Sequence, residues 1–298
     1  MSNITPAIES SIELASQKAA KRLSWRRVPF FGLTIVILFL IIVIFGKWIA
    51  PYSYEHWDLL TSNMPPTWVE GGSWDHLFGT DQLGRDVLSR IIHGARFSLA
   101  IALACLIIYT SIGLALGLLS GFMGGKVDLV IMRICDLWMG FPNIILALVL
   151  VSVMGPSAKT VILAVVISHW PHIARMMRGE CLNIAQNDYI RLARVAGCSN
   201  LRIIVSHIFP NLVNLLIILV TIEIGGIILL TAGMSFLGLG TQPPSPDWGL
   251  MINEGRPYIT SEWWLVVAPA FAILLVVLGF NLIGDWLRDV LDPKQRVR

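Results

Sequence analysis

Glu223 is the acidic residue that lies well inside an apolar stretch of this sequence, Leu212–Leu230. A charged side chain at the centre of a membrane helix costs roughly 3 kcal/mol or more unless it faces protein or a water-filled path. One interpretation is that Glu223 lines a substrate path and attracts a cationic group. The other is a structural carboxylate that is neutral or paired with a neighbouring helix.

His169 and His172 form a second polar group, at the end of the apolar stretch Thr160–Ala174. Because they are three residues apart, one helix face can present both imidazoles. Contact with a metal is one interpretation. The other is a pair of polar residues at the membrane interface, beside Trp170 and Pro171.

Motifs for enzymatic catalysis are missing from the sequence. SGFMGGKV (120–127) lacks the glycine spacing and the Ser/Thr of a phosphate-binding loop. Ser235 is not in a nucleophile elbow, because Leu237 occupies the second glycine position. There is no H-E-x-x-H motif either. We therefore expect no enzyme and no cofactor bound by this chain, so any energy must come from another subunit.

The composition indicates a membrane protein. Of the 298 residues, 55% are hydrophobic and only 14% are charged, whereas soluble domains carry roughly a quarter charged residues. The net charge of +3 is too small to indicate a nucleic-acid partner. Spanning helices need about 20 mostly apolar residues, and the candidates are Val28–Ile49, Phe97–Gly121, Leu137–Met154, Thr160–Ala174, Leu212–Leu230 and Trp263–Ile283.

The distribution of basic residues predicts the orientation. Lys and Arg concentrate before the first stretch, between the second and third, between the fourth and fifth, and after the sixth. Cytoplasmic segments are enriched in such residues, so both termini are expected in the cytoplasm. The expected divisions are a cytoplasmic segment (1–27) with a surface helix near 5–23, a first transmembrane helix (28–50), an external loop ending in a short amphipathic helix (51–96), a core (97–284) and a cytoplasmic tail (285–298).

A basic segment between the fourth and fifth stretches has the pattern of a helical hairpin. Apolar residues recur at helical spacing from Asn183 to Ala196, and Gly197 suits the left-handed turn that ends a helix. Leu201–Phe209 then predicts a second helix, which Pro210 closes. The hairpin, at about 183–210, is either a docking element for a cytoplasmic partner or an ordinary basic loop.

The hairpin resembles the coupling loop of ABC importer permeases, E-A-A-x-x-x-G-x9-I-x-L-P. Ala193, Gly197 and Pro210 match it, whereas Arg191, Leu192, His207 and Phe209 replace the family's Glu, Ala, Ile and Leu. FGTDQLGRDVLSRIIHGARFSL (78–99), IMRICDLWMGFP (131–142), SFLGLGTQPPSPDWGLMINEGR (235–256) and FNLIGDWLRDVLDPK (280–294) are similar to segments of permeases for dipeptides, oligopeptides and nickel.

This resemblance implies an all-α integral membrane protein with six transmembrane helices and the type I importer fold, in the bacterial inner membrane. It implies a C-type subunit that forms half of a translocation pathway for peptides, nickel or metal chelates. Its partners would be a B-type permease, two ATPase subunits that hydrolyse ATP, an external solute-binding protein and lipid. The residues implied in ATPase coupling are Tyr189, Arg191, Ala193, Arg194, Gly197, His207 and Pro210.

Other kinds of membrane protein predict different features. A secondary transporter or channel, the main alternative, predicts internal repeats or helices broken at the midplane, and no special cytoplasmic hairpin. An intramembrane enzyme would need paired catalytic groups, and the sequence offers Glu223 no evident partner.

Overall fold

The computed structural model describes residues 28–291, so the expected surface helix near 5–23 lies outside the described residues. The described chain is helical and contains no strand beyond one isolated bridge between Thr80 and Asp86. The α-helices are α1 (Phe30–Ile49), α2 (Val87–Met123), α3 (Gly125–Met139), α4 (Asn143–Met154), α5 (Ala158–Ala185), α6 (Asp188–Val195), α7 (Asn200–Ile203), α8 (Phe209–Phe236), α9 (Trp248–Gly255) and α10 (Trp264–Leu291). Short 3-10 turns cover Leu59–Thr61 and Arg256–Tyr258, and a π-helical segment covers Ile204–Ile208.

Five helical segments of residues 28–291 are long and apolar enough to cross a membrane, and six if the bent pair α3–α4 counts as one span. The five are Phe30–Ile49, Val87–Met123, Ala158–Ala185, Asn200–Phe236 and Trp264–Leu291. The expected all-α membrane fold is therefore confirmed. The amphipathic helix expected before the second span is continuous with it in α2, whose first turn is capped by the Asp86 carboxylate on the Ser89 N–H at 2.7 Å.

The prediction of Leu137–Met154 as one helix was wrong. α3 ends at Met139, α4 begins at Asn143, and the two helices are bent by 85°. Pro142 explains the break, because proline has no N–H to donate and disfavours the helical conformation at the residue before it. Apolar composition alone does not reveal a bend of this kind.

α2 and α5 form the most extensive helix–helix interface of the described chain. Three glycines of α2, spaced by four residues, make the close approach possible. A Cβ atom at Gly113 would lie 2.6 Å from the Ile173 Cβ, and one at Gly117 would lie 2.5 Å from the Ala174 carbonyl oxygen. At Gly121 the distance to the Arg178 carbonyl oxygen would be 2.8 Å. Small residues at this spacing let membrane helices pack backbone to backbone.

Candidate coupling surface and intramembrane site

The first half of the basic hairpin is α6 followed by a tight glycine turn. Gly197 has φ +80°, and its N–H donates to the Arg194 carbonyl at 3.0 Å. The Cys198 N–H donates to the Ala193 carbonyl at 3.1 Å. These two bonds form a Schellman motif, which satisfies carbonyls left free at a helix end. The sequence placed this turn correctly, but Asn183–Ala185 belongs to the end of α5 and not to the hairpin helix.

One side of the hairpin is anchored in an apolar cluster at the ends of α2, α5 and α8. Ile190 and Ile203 are fully buried, and Ala193 is nearly so. They pack with Leu118, Phe122, Cys181, Ile184, Ile208 and Leu212. A displacement of the hairpin would therefore press directly on three helices that cross the membrane.

The exposed side of the hairpin carries large apolar residues among its charged ones. Leu192 is 67% exposed and Val195 is 86% exposed, and Leu201 and Val205 are open to a similar degree. Tyr189 is also exposed at this surface. These five residues are called the hairpin face below. An ordinary basic loop is not expected to expose several large apolar side chains close together. Such a surface is typical of an interaction site.

The arginines of the hairpin differ in their surroundings. Arg191 is exposed and lies 3.5 Å from the Asp188 carboxylate one turn earlier. Arg194 stacks over the Phe122 ring at 4.9 Å, which ties α6 to the end of α2. Arg202 lies exposed in α7. Arg191 and Arg202 thus keep a positive charge beside the hairpin face.

The prediction that Pro210 closes the second helix of the hairpin was wrong. The chain stays helical from Asn200 through the π-helical segment into α8, with Pro210 in the first turn of α8. Phe209 donates its N–H to the Ile204 carbonyl, five residues back. Wider π turns of this kind accommodate a residue that disrupts regular helix bonding. The second half of the hairpin and α8 therefore form one continuous helical segment, and near Pro210 the His207 carbonyl accepts the Asn211 side-chain amide N–H at 2.6 Å.

Glu223 lies near the middle of α8, partly buried, and does have a neighbour that sequence reasoning missed. The Tyr109 hydroxyl of α2 donates to its carboxylate at 3.3 Å. The Tyr109 ring also contacts His169 of α5, with ring centroids 5.9 Å apart. The structure thus brings together three polar side chains from three spans. Tyr109 precedes Glu223 by 114 residues, and nothing in the sequence indicates that the two side chains meet.

The two histidines differ in burial and in their contacts. His169 is partly buried and its Nδ1 lies 3.1 Å from the Val165 carbonyl oxygen, whereas His172 is exposed. His172 lines an open groove of about 710 Å³ with Arg175, Glu180 and other residues of α5. Within residues 28–291 no group of three His, Cys, Asp or Glu side chains is arranged to hold a metal ion.

A buried charge network stabilises the loop that precedes α2, and the sequence did not indicate it. The Asp81 carboxylate accepts from the side chains of both Arg85 and Arg90 at 2.6 Å. Glu254 of α9 lies 3.1 Å from Arg85 and 2.8 Å from Arg90. Two positive and two negative charges thus compensate one another. Arg85 and Arg90 are basic residues in the expected external loop, and their burial with these acids explains why they do not contradict the positive-inside pattern.

α9 is held against α2 and α8 by a second set of polar contacts, and at α8 the Asn253 side-chain amide donates to the Phe236 carbonyl at 2.6 Å. The Trp248 indole N–H donates to the Ile91 carbonyl at 2.9 Å. The Asp247 carboxylate caps α9 by accepting from the Gly249 and Leu250 N–H groups. Burial raises the pKa of Asp247 above its ordinary value, although these N–H groups favour the charged form. The loop, α9 and the ends of α2 and α8 therefore form one packed unit.

A helical chain with several apolar spans, a sharply bent helix pair and an anchored basic hairpin between two spans is a polytopic membrane protein. Two family models match it: binding-protein-dependent transport system inner membrane component over residues 113–297, and N-terminal TM domain of oligopeptide transport permease C over residues 15–66. The chain belongs to the family of binding-protein-dependent transport system inner membrane components. It is therefore a multi-pass inner-membrane permease subunit of an importer, and not an enzyme.

Two relatives cover most of the chain. The dipeptide transport system permease protein DppC of Escherichia coli (strain K12) is 44% identical, with 88% of each chain covered. The di/tripeptide transport system permease protein DppC of Pseudomonas aeruginosa (strain UCBPP-PA14) is 42% identical and covers 88% of this chain and 87% of its own. A solved structure of the MetNI methionine ABC transporter in an inward-facing conformation shares the fold, with a TM-score of 0.57, 20% identity, and coverage of 69% of this chain and 97% of that one.

Proposed function

We propose that this chain is half of the translocation pathway of an ATP-driven importer for short peptides. In this proposal the hairpin face docks on a cytoplasmic ATPase subunit, a B-type permease supplies the other half of the pathway, and an external binding protein delivers the peptide. The observation that carries the coupling role is the division of the hairpin into a buried apolar side and an exposed side on which large apolar residues remain open.

The mechanism follows from the continuity between the hairpin and α8. A push on the hairpin face passes through Ile190 and Ile203 into the cluster at the ends of α2, α5 and α8. Because packed interiors resist compression, the cluster transmits the displacement to the spans and does not absorb it. ATP binding and hydrolysis in the partner subunits would thus switch the pathway between outward-open and inward-open states.

Peptides are favoured over nickel or metal chelates as the substrate. The relatives reported above carry peptide permease names. His169 and His172 differ in burial, and the described residues offer no cluster of three metal ligands. Glu223 fits a peptide substrate, because its carboxylate attracts the ammonium group that a peptide carries.

The secondary-transporter alternative predicts helices broken in the membrane, and the bend between α3 and α4 is such a feature. We do not favour that alternative, because the family match to binding-protein-dependent systems and the fold shared with an ABC transporter both support an importer driven by ATP. We also note that an uncoupled channel would have no use for an apolar cytoplasmic surface joined to a span.

The coupling role is tested with charges placed on the hairpin face. Leu192→Asp and Leu201→Asp alter exposed side chains, so the permease should still fold and pair with the B-type subunit. Because docking would bury the new carboxylate without a partner, retention of the ATPases on the purified complex should fall by about tenfold or more. Leu60→Asp is the matched control, because Leu60 is 95% exposed but lies in the external loop. Full ATPase retention by both hairpin variants would contradict the proposal.

A further inference from the structure

Tyr109, His169 and Glu223 meet at a similar height in the molecule, near the middle of α2, α5 and α8. Tyr109 is fully buried, whereas His169 and Glu223 are partly exposed. None of the ion pairs within residues 28–291 involves Glu223. The Glu223 carboxylate thus accepts a hydrogen bond from a hydroxyl group but has no cationic partner among these ion pairs. A cationic group of a substrate can take that place.

The hydrogen bonds define which atoms remain available. The Tyr109 hydroxyl donates to one oxygen of Glu223, Oε2, and so fixes the carboxylate while leaving the other oxygen free. The Ser168 hydroxyl donates to the Val165 carbonyl at 3.1 Å. His169 Nδ1 lies 2.8 Å from the Ser168 oxygen and 3.1 Å from the Val165 carbonyl oxygen, so it carries the proton. Nε2 of the neutral ring is then an acceptor.

We propose that Glu223 and His169 receive the α-ammonium group of a transported peptide, with Tyr109 as the positioning residue that holds the carboxylate. An ammonium group has three N–H donors and no acceptor. The free Glu223 oxygen and His169 Nε2 accept two of them, and water can accept the third. A divalent metal is a poorer occupant, because it requires more ligands than these two side chains supply.

This inference rests on the proposed function, since it assigns the ammonium group to a peptide substrate. Its physical basis is the cost of moving a positive charge past apolar spans. A carboxylate halfway along the path lowers that cost. A site with two acceptors and no full cage also lets the peptide leave, which a tighter site would prevent.

The test is uptake by the complete importer in proteoliposomes, supplied with saturating loaded binding protein. The probes are dialanine and lactyl-alanine, in which a hydroxyl replaces the ammonium group, each at a concentration that loads the binding protein equally. Glu223→Gln should lower dialanine turnover by about tenfold, because it removes a charge-assisted hydrogen bond. The same variant should leave lactyl-alanine uptake and stimulated ATP hydrolysis unchanged.

Two further variants separate positioning from general damage. Tyr109→Phe should lower dialanine turnover less than Glu223→Gln does, and adding it to Glu223→Gln should lower turnover no further, because both act on one interaction. Thr221→Val is the matched control, since the Thr221 hydroxyl bonds the Ile217 carbonyl of its own helix at 2.8 Å. It should leave the uptake of both probes unchanged.

The outcomes are distinguishable. If Glu223→Gln lowers the uptake of both probes equally, or of neither, the ammonium site is wrong even though the peptide importer stands. If the wild-type importer moves no dialanine while its binding protein is loaded, the proposed function itself fails.

Discussion

The guanidinium group of Arg90 lies 2.8 Å from the carboxylate of Glu254, which is 164 residues further along the chain. Arg90 is 2% exposed and also bonds Asp81, as does Arg85. This contact joins the start of α2 to α9, the short helix between α8 and α10. The network therefore joins the loop that precedes α2, the start of α2 and α9 into one packed unit, although these segments are far apart in the sequence.

Glu254→Gln should strongly destabilise this unit. The change leaves two buried guanidinium groups with one carboxylate, and removing one partner from a buried ion pair typically costs about 3–5 kcal/mol. Thermal unfolding of the purified permease complex should show a lower midpoint. Asp75→Asn is the control, because the exposed Asp75 bonds only Ser73 within the described chain. Equal midpoints for the two variants would show that the network contributes little.

Gly117→Ala should weaken the packing of α2 on α5. A Cβ atom there would lie 2.5 Å from the Ala174 carbonyl oxygen, so the two helices must separate. Overpacking of this kind costs typically 1–3 kcal/mol. Gly179→Ala in α5 meets no atom within 4 Å and should be neutral or slightly stabilising, because alanine favours helix. The thermal midpoints of the two variants check the contrast, and a stable Gly117→Ala variant would exclude the close-packing explanation.

Much of this architecture follows from sequence patterns, and the exceptions have identifiable causes. The lengths of the apolar stretches predicted the spans, and Gly197 predicted a left-handed turn. These two features could be predicted because each depends only on residues that are close together in the sequence. The bend between α3 and α4 depends on Pro142, which a hydropathy window averages away. The helix through Pro210 depends on π bonding that sequence spacing does not show.

The polar sites were harder to predict, because their partners are distant in sequence. Glu223 stands out by itself as a charge in an apolar stretch, but Tyr109 is an ordinary aromatic residue until α2 and α8 pack. Glu254 likewise reads as a surface acid until α9 meets α2. The spacing of Gly113, Gly117 and Gly121 is a signal that the sequence does contain, and it predicts a close helix contact without naming the partner helix.

The hairpin and the loop before α2 should be accessible to an impermeant reagent from opposite sides of the membrane. Basic residues flank the hairpin, whereas residues 51–84 contain no Lys or Arg. In a Cys198→Ser background, where the remaining cysteines are buried, Glu70→Cys should react with an impermeant maleimide in spheroplasts. Asn187→Cys should react only after permeabilisation. Labelling of Asn187→Cys in sealed spheroplasts would place the hairpin outside and exclude ATPase coupling.

Gly197→Val should uncouple the importer without unfolding it. Gly197 has φ +80°, and a Cβ atom there meets no atom within 4 Å, so the penalty arises from backbone strain alone. Strain at such a position costs about 1–3 kcal/mol, which a β-branched residue relieves by leaving the left-handed region. The Schellman bonds of Ala193 and Arg194 would then break, and α6 would turn relative to α7. ATPase subunits should dissociate, or hydrolyse ATP without peptide uptake, while pairing with the B-type permease persists.

Gly155→Val is the matched control for this strain. Gly155 also has φ +80° and open space around its Cβ position, but it ends α4 and is expected on the side of the membrane opposite to the hairpin. Equal strain at the two sites should therefore give a coupling defect only at Gly197. ATPase retention and uptake are measured on both variants in the same reconstituted system. If the two variants lose uptake equally, strain in general is the cause. If Gly197→Val keeps its ATPases and transports normally, the geometry of this turn has no part in coupling.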